Sequence, residues 1–153
     1  MIAANELRIG NLVNYSVNGE PLHPGKITGL YNTEDDSKKG IIDYHYPLSF
    51  GHPIPLTPEI LIACGFKYFK SDGISSFEDG ASDPDGVTHC WEINIKRSDF
   101  VESHSISLVK WGEQDDFTFQ LERGFYRQQI KYVHTLQNLF YFLSGGKELE
   151  IKL

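Results

Sequence analysis

The sequence has few cysteines, no long apolar run and no basic surface, and each of these absences excludes a class of protein. Cys64 and Cys90 are the only cysteines, too few for a disulfide framework, so we expect two reduced thiols in a cytosolic protein. No apolar run approaches the roughly 20 residues of a membrane-spanning helix. The first residues also lack the basic and apolar regions of a secretory signal. We therefore predict a cytoplasmic protein without a membrane partner.

Charge is distributed unevenly along the 153 residues, whose net charge is −7. Residues 72–116 contain 11 acidic and three basic side chains, whereas residues 117–153 contain three acidic and five basic ones. Non-specific nucleic-acid binding needs a basic surface that releases counterions, so we do not expect this chain to bind nucleic acid directly in a non-specific way. The acidic block is either a solvated loop or a surface for a positively charged partner.

The remaining composition is that of a globular protein. Hydrophobic residues make up 40% of the chain, charged residues 23% and aromatic residues 13%, so rings should fill much of the core. The length predicts one domain or two very small ones. The pattern along the chain predicts an α+β fold, built from an N-terminal part at residues 1–56 and a second part at residues 57–153. We expect the two parts to share one core as a single compact domain.

Short strands dominate the N-terminal part. They are predicted over residues 7–15, 26–31 and 41–46. A bend is expected after Gly10, and Asn18-Gly19 is a strong hairpin signal, with prolines after it that should interrupt regular structure. A charged loop is expected over residues 32–40. The patterns IGN-x-V and GKITGL are typical of the start of a small SH3-like β-barrel.

Local signals predict a short helix over residues 58–64. Thr57 is a favourable N-cap, Pro58 suits the first helical position, and Gly65 provides the C-terminal stop. A strand over residues 66–70 should follow directly.

Alternating apolar residues predict an antiparallel meander of three or four strands after a long loop at residues 71–86. Its later strands are predicted over residues 87–97, 105–111 and 117–122, with the last two forming a hairpin. Thr118 should face away from the core.

A C-terminal helix is predicted over residues 128–144, ended by Gly145-Gly146. Its apolar face should pack on the meander, with Leu136 and Phe140 deeply buried. Alternation in the last residues predicts a closing strand over residues 149–153.

Four uncharged polar side chains form a stripe along the border of that apolar face. They are His134, Gln137, Asn138 and Tyr141, at positions i, i+3, i+4 and i+7. Together they offer donors and acceptors without fixed charge, which suits recognition of a backbone edge, a base edge or a neutral ligand. The same groups could instead satisfy the protein's own backbone. We take these four as candidate binding residues and assign no catalytic residue.

Metal and cofactor signatures are weak. Asp83, Asp85, Gly86 and Glu92 match positions 3, 5, 6 and 12 of a calcium-binding loop, but Ala81 at position 1 cannot ligate. The six histidines are scattered without zinc-ligand spacing, and no glycine-rich phosphate loop is present. His89 cannot activate Cys90, because adjacent strand residues point to opposite faces. We predict no metal and no cofactor.

A cluster of rings precedes the PIPLTP segment and has two readings. Its members are Tyr44, His45, Tyr46, Phe50 and His52. Aromatic side chains beside prolines can form a groove for extended peptides, but they can equally close the edge of a core.

Three segments carry a resemblance to a known family: NELRIGNLV, PIPLTPEILIACGF and IKYVHTLQNLFYFLSGGKEL. They resemble a family of small proteins encoded by Bacteroides-type gut bacteria and by their phages and integrated elements. The resemblance covers both ends and the middle of the chain, but not residues 71–116. It implies a cytoplasmic accessory protein of a mobile element and carries no established activity.

We therefore expect a non-enzymatic binding or accessory protein whose partner is another protein. One alternative is an acidic decoy that uses residues 72–116 to inhibit a nucleic-acid-binding host protein. Another is a small hydrolase or transferase that uses His134.

Overall fold

The structure is a computed structural model that describes residue 2 and residues 6–32, 38–72, 87–95, 104–111, 117–120 and 127–151. Over these residues the fold is α+β, as predicted, with two five-stranded antiparallel sheets and two α-helices. The chain divides into two compact units. The first unit contains Met1–Pro55 and Tyr132–Leu139, and the second contains Leu56–Lys131 and Phe140–Leu153. That the two parts share one core stays a prediction.

The first unit is built on a curled, half-barrel sheet with the strand order β4-β3-β2-β1-β5. Its strands are β1 (Leu12–Tyr15), β2 (His23–Asn32), β3 (Lys38–Ile42), β4 (Tyr46–Pro47) and β5 (Gly51–His52), with a 3-10 turn at Leu48–Phe50. A bulge between Ile27 and Gly29 shifts the register of β2 on β3, and bulges of this kind bend a strand. The core consists of Ile2, Leu7, Val13, Ile27, Ile42 and Leu48.

The β1–β2 connection follows the predicted turn chemistry, but the following proline does not interrupt the sheet. Asn18 and Gly19 both have positive φ, at 54° and 80°. Pro24 lies inside β2, opposite Asn14. The N–H that Pro24 lacks would point to the same side as the N–H of Lys26, towards β3. Pairing between β2 and β3 begins only at Ile27. Pro24 therefore costs the sheet no hydrogen bond.

The predicted strand over residues 41–46 is wrong in its second half. Asp43 and Tyr44 have positive φ, at 47° and 65°, and form a turn between β3 and β4. The Asp43 carboxylate accepts a hydrogen bond from the backbone N–H of Lys26 at 2.8 Å. Asp tolerates this left-handed conformation, and its carboxylate accepts the hydrogen bond that a strand carbonyl would otherwise accept. The β-branched and aromatic residues beside Asp43 are typical of a strand, so the sequence pattern does not reveal the turn.

The predicted first strand is also too long, because β1 begins at Leu12. The expected bend is present, with Gly10 at φ 97°. Before β1, Arg8 and Asn11 form a turn in which the Arg8 N–H donates to Asn11 Oδ1 at 2.8 Å.

The second unit is an antiparallel meander with the order β10-β9-β8-β7-β6, preceded by a short helix. Its elements are α1 (Pro58–Ala63), β6 (Lys67–Asp72), β7 (Val87–Ile95), β8 (His104–Trp111), β9 (Phe117–Gln120) and β10 (Arg127–Ile130). The predicted β8–β9 hairpin is present. Thr118 does not face outward: it is buried opposite Val109, which is buried too, so both faces of the sheet are covered there.

The short helix follows its local signals. The Thr57 hydroxyl accepts a hydrogen bond from the N–H of Ile60 at 3.4 Å, and Pro58 occupies the first helical position. Gly65 adopts φ 88° beyond the end of α1. Leu61 is fully buried on the inner side, whereas Ile62 is 51% exposed.

The C-terminal helix α2 spans Val133–Leu143, so its predicted start at residue 128 is wrong. Residues 127–130 form β10, and its last residue, Ile130, is buried opposite Phe117. Pairing with β9 satisfies the backbone N–H and C=O groups of this segment. The spacing of apolar residues in the sequence does not show that β9 is its partner. The helix ends as predicted, with Gly145 and Gly146 at positive φ.

Two further expectations about this region are wrong. Leu136 is fully buried, but Phe140 is only half-buried. Residues 147–151 form no strand, although Leu149 is buried. The loop predicted at residues 71–86 is wrong at its start, because Ser71 and Asp72 belong to β6. The rest of that loop, with Asp83, Asp85 and Gly86, lies outside the described residues. In the part of the chain that the structure describes, neither helix has the length and apolar character needed to cross a membrane.

Two glycines of β2 provide a matched test of the first unit's packing. A Cβ at Gly25 would lie 2.6 Å from Ile42 Cγ2 and 2.7 Å from the Tyr15 ring, whereas one at Gly29 would lie 3.5 Å from Ile41. We expect Gly25→Ala to lower the free energy of unfolding by about 1–3 kcal/mol through overpacking, and Gly29→Ala to change it by less than about 1 kcal/mol. Chemical denaturation measures both, and equal midpoints for the two variants would contradict the packing.

Candidate functional site

An open groove of about 450 Å³ lies in the second unit, between α1 and one face of the sheet. It is lined by Pro58, Glu59, Ile62, Tyr68, His89, Trp91 and Lys110. The sheet register explains why the last four meet: Tyr68 is opposite Trp91, and His89 is opposite Lys110. Directly opposed residues on antiparallel strands project from the same face. The sequence therefore brings together side chains from β6, β7 and β8 at one place.

Three contiguous rings form the sheet side of the groove. The ring centroids of Tyr68 and Trp91 are 5.3 Å apart, and those of Tyr68 and His89 are 5.9 Å apart. Tyr68 Oη is 2.7 Å from His89 Nδ1, a hydrogen bond that fixes the imidazole. Trp91 is 4% exposed and meets Phe117 edge-on at 5.2 Å. The core therefore holds Trp91 in place, whereas Tyr68, which is 44% exposed, presents most of its ring to the groove.

The groove carries charges of both signs. Hydrogen bonds from the Thr57 hydroxyl and from its own backbone N–H lower the pKa of Glu59, so its exposed carboxylate is ionised at neutral pH. The Lys110 ammonium lies 5.9 Å from the centroid of the Phe117 ring. A ligand in this groove thus meets aromatic surface together with one anion and one cation.

The two cysteines are free and unreactive. Burial raises the pKa of the Cys64 thiol to about 11. Burial and the nearby carboxylate of Glu92 also raise the pKa of the Cys90 thiol. Both thiols stay protonated at neutral pH and are poor nucleophiles. Among the described residues, no group of three or more His, Cys, Asp or Glu is placed to hold a metal ion.

The predicted polar stripe is divided between the two units. His134 and Gln137 are buried in the first unit, Asn138 is half-buried there, and Tyr141 is 39% exposed and belongs to the second unit. The four side chains therefore do not form one continuous surface of a single unit.

Both amides of the stripe bind the chain segment that leads into β1. Gln137 Oε1 accepts from the Leu12 N–H at 2.8 Å. Asn138 Oδ1 accepts from Asn11 Nδ2 at 2.9 Å, and Asn138 Nδ2 donates to the Glu6 carbonyl at 2.8 Å. These amides satisfy polar groups within the protein, which is one of the two roles considered for them.

His134 is enclosed without a hydrogen bond. Its ring is 1% exposed, stacks on Tyr132 with centroids 5.6 Å apart, and has no hydrogen-bond partner at either nitrogen among the described residues. Glu6 Oε2 is 3.8 Å from Nε2, which is too long for a hydrogen bond. Burial lowers the pKa of His134, and the Glu6 carboxylate opposes that shift in part. The imidazole is therefore neutral at pH 7.

The rings of the N-terminal cluster have different surroundings. Tyr46 stacks on Tyr15 at 4.9 Å and packs against the first unit's core. Tyr44 is 80% exposed at the β3–β4 turn, and His45 Nδ1 lies 2.7 Å from the Asp43 carbonyl. For Tyr46 this arrangement favours the interpretation that the ring closes the edge of the core over a role in a peptide groove.

The groove residues were missed by sequence reasoning. Alternation places His89 and Trp91 on one face of β7, but only the register with β6 brings Tyr68 to them. Comparisons of the chain with protein-family models, with curated proteins and with solved structures find no match.

The hydrogen bonds of Gln137 and Asn138 predict that loss of either amide destabilises the fold. A role only in binding an external partner would predict no such effect. Gln137→Ala removes the acceptor of the Leu12 N–H, and Asn138→Ala removes two hydrogen bonds. Each should lower the free energy of unfolding by about 1–3 kcal/mol in chemical denaturation. Thr135→Ala, a control on the same helix, should change it by less than about 0.5 kcal/mol. Neutral results for both amide variants would refute their structural role.

His134 predicts a pH dependence of stability. The unfolded chain binds a proton at an ordinary imidazole pKa of 6.5, whereas burial disfavours protonation in the folded state. Stability from this residue is complete above pH 6.5 and is lost as the pH falls towards its lower folded pKa. We expect the free energy of unfolding to fall between about pH 7 and pH 5, and to fall less steeply in His134→Gln. Parallel curves for parent and variant would rule out this contribution.

Proposed function

We propose that the protein is a non-enzymatic accessory protein that binds an extended segment of another protein in the groove between α1 and the sheet. The observation that carries this proposal is the hydrogen-bonded pair of rings of Tyr68 and His89, which lines the groove beside the exposed side chain of Ile62. Rings that are apolar on the face and polar at one edge are enriched in protein interfaces. The volume of the groove, about 450 Å³, lies within the range of natural ligand sites.

The shape and chemistry of the groove favour a polypeptide. The groove is open rather than enclosed, so a chain can pass through it. Aromatic-lined grooves of this type recognise extended, proline-containing segments, which lose little conformational entropy on binding. Rings also stack on bases of single-stranded nucleic acids, but those sites are positively charged. Glu59 in the lining and the net charge of −7 disfavour a phosphate backbone here.

Catalysis by His134 has less support. A substrate could reach this imidazole, 1% exposed, only by displacing the side chains that cover it. His134 is also not one of the residues that line the groove. The alternative of an acidic decoy depends on residues 72–116, of which the structure describes 72, 87–95 and 104–111, and it stays a separate proposal.

The first unit is proposed to be a small SH3-like barrel. The features that support this assignment are the meander of β1 to β4 with β5 returning to pair with β1, the bulge at Ile27 and Gly29, and the 3-10 turn at Leu48–Phe50 before β5. The resemblance of three sequence segments to gut-bacterial and phage proteins supports a cytoplasmic role in a mobile element.

Peptide selection on the full chain tests the binding proposal. A random library of 12-residue peptides is displayed and selected on the full chain, and the dissociation constants of selected peptides are measured by calorimetry. We expect Ile62→Asp to weaken binding by at least about tenfold, because it places a charge on the apolar wall of the groove. The control Phe142→Asp makes the same kind of change at a side chain that is 78% exposed and does not line the groove. It should change the dissociation constant less than about twofold.

Two outcomes would contradict the proposal. A library that yields no binding peptide is one. Selected peptides whose affinity is equal for parent, Ile62→Asp and Phe142→Asp are the other, because they would bind elsewhere on the protein.

A further inference from the structure

β6 is the longest of the four described strands that lie at the edges of the two sheets. β4 and β5, at the edges of the first sheet, have two residues each and β10 has four, whereas β6 has six. All six residues of β6 pair with β7, and β6 pairs with no other strand that the structure describes. Natural proteins keep edge strands short or cover them, because their outward N–H and C=O groups accept a further strand. Among the described edges, β6 is therefore the best suited to strand addition.

The cover provided by the rest of the protein ends at β6 on both faces of the sheet. On the groove face, Trp91 is 4% exposed, but Tyr68, directly opposite on β6, is 44% exposed. On the other face, Val109 is buried and Cys90 beside it is half-buried, but Phe69, opposite Cys90, is 49% exposed. Two consecutive rings of one edge strand are thus half uncovered, one on each face. A ligand confined to the groove would cover only the first of them.

A strand of another polypeptide is the occupant that both observations favour. Such a strand pairs its backbone groups with the outward groups of β6, and its side chains alternate between the two faces of the sheet. Two consecutive side chains of that strand therefore reach Tyr68 and Phe69. A second copy of this chain is a less favourable occupant, because β6 contains two lysines and lysines on an edge strand oppose pairing between identical edges.

We infer that the partner segment binds by strand addition, as a sixth strand of the second sheet beside β6. One apolar residue of the segment enters the groove beside Tyr68 and Ile62, and the next residue, also apolar, packs on Phe69 on the other face. The inference rests on the proposed function, because it states how the segment in the groove is held. Backbone hydrogen bonds supply affinity, and the two adjacent apolar side chains supply specificity.

Backbone methylation of the selected peptides tests strand addition with the parent protein. Each N–H of a selected peptide is replaced in turn by N–CH₃, and calorimetry gives the dissociation constants. In a strand, the N–H groups of alternate residues point to the same neighbour. We expect binding to weaken at least about tenfold at alternate positions of the paired stretch, where a hydrogen bond is lost and the methyl group meets β6, and less than about threefold at the positions between them. A response without this period of two would overturn the inference.

A substitution at Phe69 tests the contact on the face away from the groove. Phe69→Thr removes the ring and keeps a residue type that favours strands. We expect it to weaken the selected peptides about three- to tenfold. Tyr31→Thr is the matched control, because it removes a ring that is 50% exposed on β2 of the first unit. It should leave the affinity within about twofold of the parent. Equal affinities for the parent and both variants would contradict the contact with Phe69.

The outcomes separate this inference from the proposed function. If Ile62→Asp weakens binding but neither the methylation series nor Phe69→Thr has its expected effect, the segment lies in the groove without strand pairing. The inference is then wrong and the proposed function stands. A library that yields no binding peptide overturns both. A parent that sediments as a dimer, and as a monomer after Phe69→Thr, would show that a second copy occupies β6 and would also overturn the inference.

Discussion

Backbone groups at the edge of a short sheet need hydrogen-bond partners, and in the first unit the amide side chains of α2 provide them. β5 pairs with only Asn14 and Tyr15 of β1, so the chain before Asn14 has no strand partner on that side within the described residues. Gln137 accepts from the Leu12 N–H, and Asn138 binds both Asn11 and the Glu6 carbonyl. The two amide side chains thus provide hydrogen bonds that a neighbouring strand would otherwise provide. This requirement explains why polar residues occupy the buried side of a helix.

The second unit uses polar groups differently. Its core is closed by apolar residues, and the polar atoms of Tyr68 and His89 are left at the surface, bonded to each other. Trp91 belongs to both regions, because its ring makes a T-shaped contact with the buried Phe117 and also lines the groove. Glu59 also has two roles, since it favours the start of α1 and gives the groove its negative side. Residues that line the groove therefore also contribute to the stability of the fold.

Features encoded within a few residues could be predicted, whereas those set by distant pairing could not. Thr57, Pro58 and Gly65 define α1 because capping is local. Nothing near Arg127–Ile130 shows that β9 is available as a partner, so the predicted helix began too early. The groove depends on the register that places Tyr68 opposite Trp91. The length of the chain between β6 and β7 does not determine that register. The stripe on α2 was found from its spacing, but the acceptors and donors it binds lie more than 120 residues away.

The division of α2 between the two units has a consequence for synthesis of the chain. Met1–Pro55 emerges from the ribosome first, but the first unit also contains Tyr132–Leu139. At about 5–20 residues per second, those residues follow Pro55 after about 4–15 s. During that interval the Leu12 N–H and the Asn11 side chain lack their partners on α2, and the whole α1–β10 region is translated. The contacts of the N-terminal sheet with α2 therefore form only after the chain of the later sheet has been made.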